Sequence, residues 1–232
     1  GVVTVAGEIV DGDAGPGTAG GERIAVLLDE ALADRDLKAL VVRVDSPGGS
    51  VLASEQIRLA VLRHKARKIP IAVSMANVAA SGGYWVSTPA DCIFAEPDTI
   101  TGSIGVFGVI PTFEGAASEI GVTTDGVKTT PLSGQPDLVA GFTPEVDAVI
   151  QGQIDNTYRE FLARVSGARK MTPAAVDRIA QGRVWDGGAA RQIGLVDQYG
   201  GIGDALEWAA KKAGVAESGW HPVYLGTAPT TY

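Results

Sequence analysis

Two strand–glycine–glycine–helix units constrain this chain more than any other feature. In the first, Leu40-Val41-Val42-Arg43-Val44 alternates, is β-branched and reads as a strand. It ends in Asp45-Ser46-Pro47-Gly48-Gly49-Ser50, a strong turn signal, before a helix over Ala53 to Leu62. In the second, the apolar run Ile69 to Met75 reads as a buried strand. A small-residue turn, Val78-Ala79-Ala80-Ser81-Gly82-Gly83, then leads into Tyr84-Trp85-Val86 at the start of a helix. Either turn alone also suits a plain connector; the pair, with serine in the second, is far more specific. A serine at such a junction has its hydroxyl near unpaired backbone N–H groups and the positive end of a helix dipole. Those donors suit the oxyanion of an acyl-transfer intermediate, and small neighbours let a substrate backbone approach. On this reading a glycine N–H of the first turn and the N–H of Gly82 are the two donors, and Ser81 is the candidate nucleophile.

The flanking sequence alternates strands with helices. Val2 to Val5 reads as a strand, Asp11 to Gly21 as a flexible loop, Glu22 to Ala33 as a helix and Cys92 to Ala95 as a strand. Thr99 to Val109 is apolar and punctuated by glycine. Glu114 to Ile120 reads as a short helix, Val122 to Thr124 as a short strand and Thr129 to Phe142 as a mobile loop. Thr143-Pro144-Glu145 is a helix start, with a capping residue and proline at the first helical position. Val146, Val149, Ile150, Ile154, Tyr158, Phe161, Leu162 and Val165 keep one face of that helix. Thr172-Pro173 starts another helix, ended by Gly182, and Gly203 to Ala213 reads as a third. The expectation is one α/β domain over 1–232, with a core over 1–142 and a helical part over 143–218.

Composition excludes several function classes. A formal charge of −8 without a basic patch argues against nucleic acid as a partner. The basic run Arg63-His64-Lys65-Ala66-Arg67-Lys68 reads as a solvated helix end that complements the helix C-terminus. Cys92 is the only cysteine, which leaves no disulfide framework and no thiolate metal site; it reads as a buried strand residue. No metal-ligand cluster or phosphate-binding loop is present, so no cofactor is expected. No run of eighteen apolar residues occurs, and the start at Gly1 without a signal-peptide pattern reads as a mature or excised fragment, itself soluble. The two histidines, His64 and His221, read as surface residues rather than as a catalytic base.

Five segments in order resemble the signal peptide peptidase A family of serine–lysine proteases, which share the Clp protease/crotonase-type fold of repeated ββα units. They are Asp45-Ser46-Pro47-Gly48-Gly49-Ser50, Ala79-Ala80-Ser81-Gly82-Gly83-Tyr84, Thr101-Gly102-Ser103-Ile104-Gly105, Ile179-Ala180-Gln181-Gly182-Arg183-Val184-Trp185 and Gly194-Leu195-Val196-Asp197. The resemblance implies that Ser81 forms an acyl-enzyme, that a lysine amine is the general base, that Ser103 hydrogen-bonds that lysine, and that backbone N–H groups near Gly49 and Gly82 hold the oxyanion. It further implies apolar peptide substrates such as cleaved signal peptides, a homo-oligomer, and a membrane-anchored parent protein at the periplasmic side of the bacterial inner membrane.

The base departs from the pattern. In single-unit members of the resembled family it sits three residues after a glycine, and with Gly126 as that glycine the position is Thr129. Lys128 falls one residue short. One residue along an extended segment moves a side chain to the opposite face, although a bulge restores it. Two-unit members take the lysine from the first unit and the serine from the second. Gly126-Val127-Lys128-Thr129-Thr130-Pro131-Leu132 resembles the serine-bearing unit better. The chain is therefore expected to be one half of an enzyme whose base comes from the preceding half. Other readings are a catalytically incomplete structural or oligomerisation half, a phage-type maturation or Clp-like protease, and a crotonase-type acyl-CoA enzyme. A Clp-like triad lacks a plausible histidine here, and the crotonase reading calls for carboxylates at the glycine turns.

Overall fold

Strands and helices alternate along the chain much as the hydrophobic pattern dictates. In this computed structural model, which describes residues 1–226 apart from Pro16, Pro131 and Glu217, the elements follow in chain order. They are β1 (Val2–Ala6), β2 (Glu8–Val10), β3 (Thr18–Gly20), α1 (Gly21–Ala33), β4 (Leu40–Ser46), α2 (Val51–Ala66), β5 (Ile71–Ala80), α3 (Gly82–Ser87), β6 (Cys92–Ala95) and β7 (Ile100–Gly102). There follow α4 (Glu114–Glu119), α5 (Pro144–Arg169), α6 (Pro173–Ile179), β8 (Val184–Asp186), α7 (Gly187–Gln192), β9 (Gln198–Tyr199) and α8 (Ile202–Lys212). Two compact units result: Gly1–Gly105 with the chain from Phe161 onward, and Val106–Glu160.

In the first unit β1, β4, β5, β6 and β9 lie side by side in that order and run parallel. Register puts Val2, Val41, Ala72 and Cys92 in one row across four strands. Ala205 and Ala209 of α8 close over that row, with Phe94 beside it. Period-two alternation leaves Val3, Val42, Val73 and Ile93 as the opposite row, also buried. This two-sided burial is why the strands read as nearly continuous apolar runs. In α1 the buried residues Ile24, Leu28, Ala31 and Leu32 follow helical spacing. Gly21 brings α1 against α2, where a Cβ would stand 2.6 Å from that of Ala53.

Several expectations need correction. β5 does not end in a small-residue turn near Val78: it continues to Ala80 because β4 and β7 pair with its end. The loop expected over Asp11 to Gly21 contains β3, which pairs in parallel with β2. Val122 to Thr124 forms no strand, having no neighbour to pair with among the described residues. The helix after Thr172 ends at Ile179, ahead of Gly182. β8, α7 and β9 were not expected at all. Thr143 does cap α5, its hydroxyl oxygen accepting from Val146 N at 3.4 Å. Along that helix Val146, Phe161 and Val165 are buried while Val149 is exposed. The basic run is tied to protein groups: Arg63 to Asp29, Lys65 to Asp91 and the Pro89 carbonyl, Arg67 to the Leu32 carbonyl.

His64 is the sharpest correction, since it is fully buried rather than on the surface. Its Nδ1 lies 3.1 Å from the Ala60 carbonyl, and Nε2 has no hydrogen-bond partner among the described residues. Burial disfavours the imidazolium and lowers the His64 pKa, outweighing the contact with Ala60. As pH falls below the ordinary histidine value of about 6.5, the unfolded chain therefore takes up a proton before the native one. The His64 contribution to stability is full above that pH and shrinks below it. Urea denaturation at pH 7 and pH 5 is expected to show a larger loss for the wild type than for His64→Leu; equal losses would contradict this.

Candidate active site

Ser81 joins β5 to α3 with φ 52° and ψ −116°, a backbone conformation that side chains other than glycine rarely adopt. Such strain persists only where the surroundings over-determine it. Here Ser81 N donates to the Gly102 carbonyl at 2.9 Å, and the Ser81 carbonyl accepts from Trp85 N at 2.9 Å. Upstream the register between β4 and β5 slips: Val44 faces Met75 but Ser46 faces Ala79. The bulge is secured by Asp45 Oδ1, which accepts from Val78 N at 3.2 Å, and by Thr99 Oγ1, which donates to the Ala76 carbonyl at 2.8 Å.

The slip aligns the first glycine turn with the serine. Gly48 (φ 102°) and Gly49 (φ 145°) need the freedom that glycine alone has. A Cβ on Gly48 would lie 2.6 Å from Gly82 N and 2.8 Å from Ser81 Cβ. A Cβ on Gly82 would lie 3.3 Å from Gly49 N. A side chain on Gly49 would collide with the Ile9 carbonyl, because Ile9 pairs along this turn: its N donates to the Gly48 carbonyl and its carbonyl accepts from Ser50 N, both at 2.8 Å. Gly49 N thus lies close to Gly82, and Gly48 lies close to the Ser81 side chain and to Gly82 N. Helix α3 has six residues, so these individual donors matter more than a macrodipole.

Ser103 arrives from the other edge. β7 pairs with the end of β5, Ala80 facing Gly102, so Ser81 and Ser103 follow neighbouring strand ends. Ser103 also has a left-handed backbone, φ 47°, and its N donates to the Arg183 carbonyl at 2.7 Å. Behind the elbow, Trp85 Nε1 donates to Glu55 at 2.7 Å, and Arg58 and Arg164 donate to the same carboxylate. Burial alone would raise the Glu55 pKa, but hydrogen bonds from Arg58, Arg164 and Trp85 outweigh it and hold it at about 2. The Arg164 guanidinium lies 4.6 Å above the Trp85 ring, and Phe161 packs 4.7 Å from it. Gly48, Ser54 and this Trp85 cluster escaped sequence reasoning, because only proximity in space reveals them. Ser54 Oγ would lie 2.5 Å from a Gly82 Cβ.

Ser81, Gly49, Gly82 and Ser103 therefore meet at one place in the first unit. Lys128 belongs to the second unit and is exposed. So are Lys38, Lys65, Lys68, Lys170, Lys211 and Lys212, the remaining lysines of the chain. Burial pushes the Cys92 thiol up to about 11, which leaves it protonated. Among the described residues no cluster of His, Cys, Asp or Glu could hold a metal ion, and no helix is long and apolar enough to cross a membrane.

A serine on a strained strand-to-helix elbow beside a glycine turn, in a mainly parallel α/β sheet, is an arrangement suited to a serine hydrolase, and the fold is of the Clp protease type. A ClpP1 variant from Listeria monocytogenes has the same fold, with a TM-score of 0.55, 15% identity, and coverage of 88% of this chain and 94% of that one. The model of peptidase family S49 matches residues 63–216, and the chain belongs to this family of serine peptidases. Protease 4 of Salmonella typhi is 46% identical over 229 residues, covering 99% of this chain and 37% of that protein. A putative signal peptide peptidase SppA of Enterococcus faecium is 36% identical over 179 residues, covering 77% of this chain and 52% of that protein. The chain thus spans between about a third and about half of the length of these two relatives.

Gly48→Ala tests the contact between the two turns. It combines a left-handed φ with overlap onto Ser81 and Gly82, and is expected to destabilise the fold by about 1–3 kcal/mol. Reaction of Ser81 with a serine-directed probe should fall with it. Gly203→Ala, at an open site inside α8, should instead be neutral or stabilising by up to about 1 kcal/mol in the same chemical denaturation series.

Proposed function

We propose that this chain is the nucleophile-bearing half of a serine–lysine endopeptidase that hydrolyses apolar peptides such as cleaved signal peptides. The observation that carries the reading is the Ser81 elbow, with the Gly49 and Gly82 N–H groups beside it. Ser81 Oγ attacks the scissile carbonyl carbon and its proton passes to a neutral lysine amine. The carbonyl oxygen becomes an oxyanion, held by the N–H groups of Gly49 and Gly82. Collapse breaks the C–N bond, and the departing amine takes the proton back from the lysine. Water then attacks the Ser81 ester, again through lysine, releasing the carboxylic acid and restoring Ser81. Ser103 orients the lysine.

A lysine becomes such a base by burial among apolar groups, and every lysine of this chain is exposed. That favours a base supplied by another unit of a longer protein, as does the share of Protease 4 that the chain covers. The likeness to the putative signal peptide peptidase of Enterococcus faecium supports signal peptides as the substrate class. The same reading takes in a homo-oligomer, for which the Clp-type fold is suggestive, and a parent protein anchored at the periplasmic face of a bacterial inner membrane.

Labelling by a fluorophosphonate probe, located by mass spectrometry, tests the assignment. The chain alone is expected to label weakly, and to label at Ser81 once the preceding half of the parent protein is added. Ser81→Ala abolishes the signal and Lys128→Ala leaves it unchanged. Strong labelling of the chain alone that is lost in Lys128→Ala would place the base inside the chain. Silence under both conditions would leave a structural half as the better reading.

A further inference from the structure

We propose that Trp185 is a positioning residue that sets Ser103, and with it the lysine, from behind β7; this rests on the serine–lysine reading above. Ser103 has a left-handed backbone at φ 47°, and its hydroxyl has no hydrogen-bond partner among the described residues. Its placement therefore depends on the main chain on either side, and the segment Gln181–Trp185 grips that main chain at successive points. Arg183 O accepts from Ser103 N at 2.7 Å, and Gly182 N donates to the Ile104 carbonyl at 3.0 Å. β8 pairs antiparallel with β7, setting Trp185 opposite Thr101 and Val184 opposite Gly102. The left-handed residues Gln181 (φ 57°) and Gly182 (φ 75°) make the turn that lets Arg183 present its carbonyl.

The indole completes the clamp. Its Nε1 donates to the Ile179 carbonyl at 2.9 Å, which pins the ring across the turn. The ring edge lies against Gly102, where a Cβ would stand 2.8 Å from Cδ1. Gly102 is also the residue whose carbonyl accepts from Ser81 N. One peptide is thus held between the Trp185 ring on one side and the nucleophile's own N–H on the other. Thr101 secures the same strand by donating to the Ala79 carbonyl at 2.7 Å. Removing the indole leaves room for Gly102 to shift; such a shift passes to Ser103 through the peptide bond that joins them, and to Ser81 only across one hydrogen bond.

A double-mutant cycle on the probe-labelling rate of the full-length parent protein tests this. Trp185→Ala and Ser103→Ala are each expected to slow labelling of Ser81 by about tenfold or more. The double variant should be no slower than Ser103→Ala, because the ring acts through that serine. Trp185→Phe, which keeps a ring on Gly102, should recover most of the rate. The pH midpoint of labelling in Trp185→Ala should move to that of Ser103→Ala, a change that loss of stability alone does not produce. If Trp185→Ala fails to fold, Trp185→Leu and Trp185→Phe carry the cycle. Independent losses that multiply in the double variant, or an unchanged midpoint, overturn the positioning role while leaving the peptidase reading intact. A wild-type protein that never labels at Ser81 overturns both.

Discussion

β5 is longer than the strands beside it, and the candidate site depends on how its ten residues are shared. One edge takes β6 at 72–74 and then β7 at 78–80. That change of partner brings the chain turn after β7, with Ser103, alongside the turn after β5, with Ser81. The other edge carries the bulge. With Ser46 opposite Ala79, extrapolation along the strands sets Gly48 level with Ser81. Without the slip Ser46 would face Asn77, and Gly48 would stand level with Ala79 instead. The elbow would then lose the neighbour whose missing Cβ gives it room.

What could be read from the sequence was whatever local chemistry decides. Pro47-Gly48-Gly49 and Thr143-Pro144 punctuate the chain through φ restriction and capping, and they mark real boundaries. The runs around Val42, Val73 and Ile93 are apolar because both sides of the sheet are covered. The end of β5 was hidden because Ala76-Asn77-Val78-Ala79-Ala80 has weak strand propensity, and only β4 and β7 make it a strand. β8 and β9 are two or three residues long, below any periodic signal. His64 sat in a run of charges that pointed to solvent, yet helical phase turns it inward while Arg63 and Lys65 stay out.

The same division holds at the site. Ser81, Gly49 and Gly82 announce themselves as small residues after strands, so a reading along the chain finds them. Gly48, Trp85 and Glu55 matter only through what they touch. Trp85 is one helical turn beyond Ser81, and its indole ends on a carboxylate that two arginines also claim. The charge of Glu55 is stabilised by three side chains, so α2, α3 and the end of α5 are joined behind the elbow.

Both serines lie in left-handed backbone, and each is held by a carbonyl belonging to another segment: Gly102 for Ser81, Arg183 for Ser103. The strain is therefore sustained by the sheet of the first unit itself and needs nothing from a partner. This bears on the proposed reading, in which the base comes from another unit. A serine hydroxyl near its ordinary pKa is a weak nucleophile, so the unit can fold with the elbow already set and remain unreactive. On the proposed reading, association would then have only to deliver an amine. On that reading the lysine would gain its free-base form from the burial that association creates, and assembly and activation would be one event. An exposed lysine on the same chain would gain no such coupling, and every lysine of this chain is exposed.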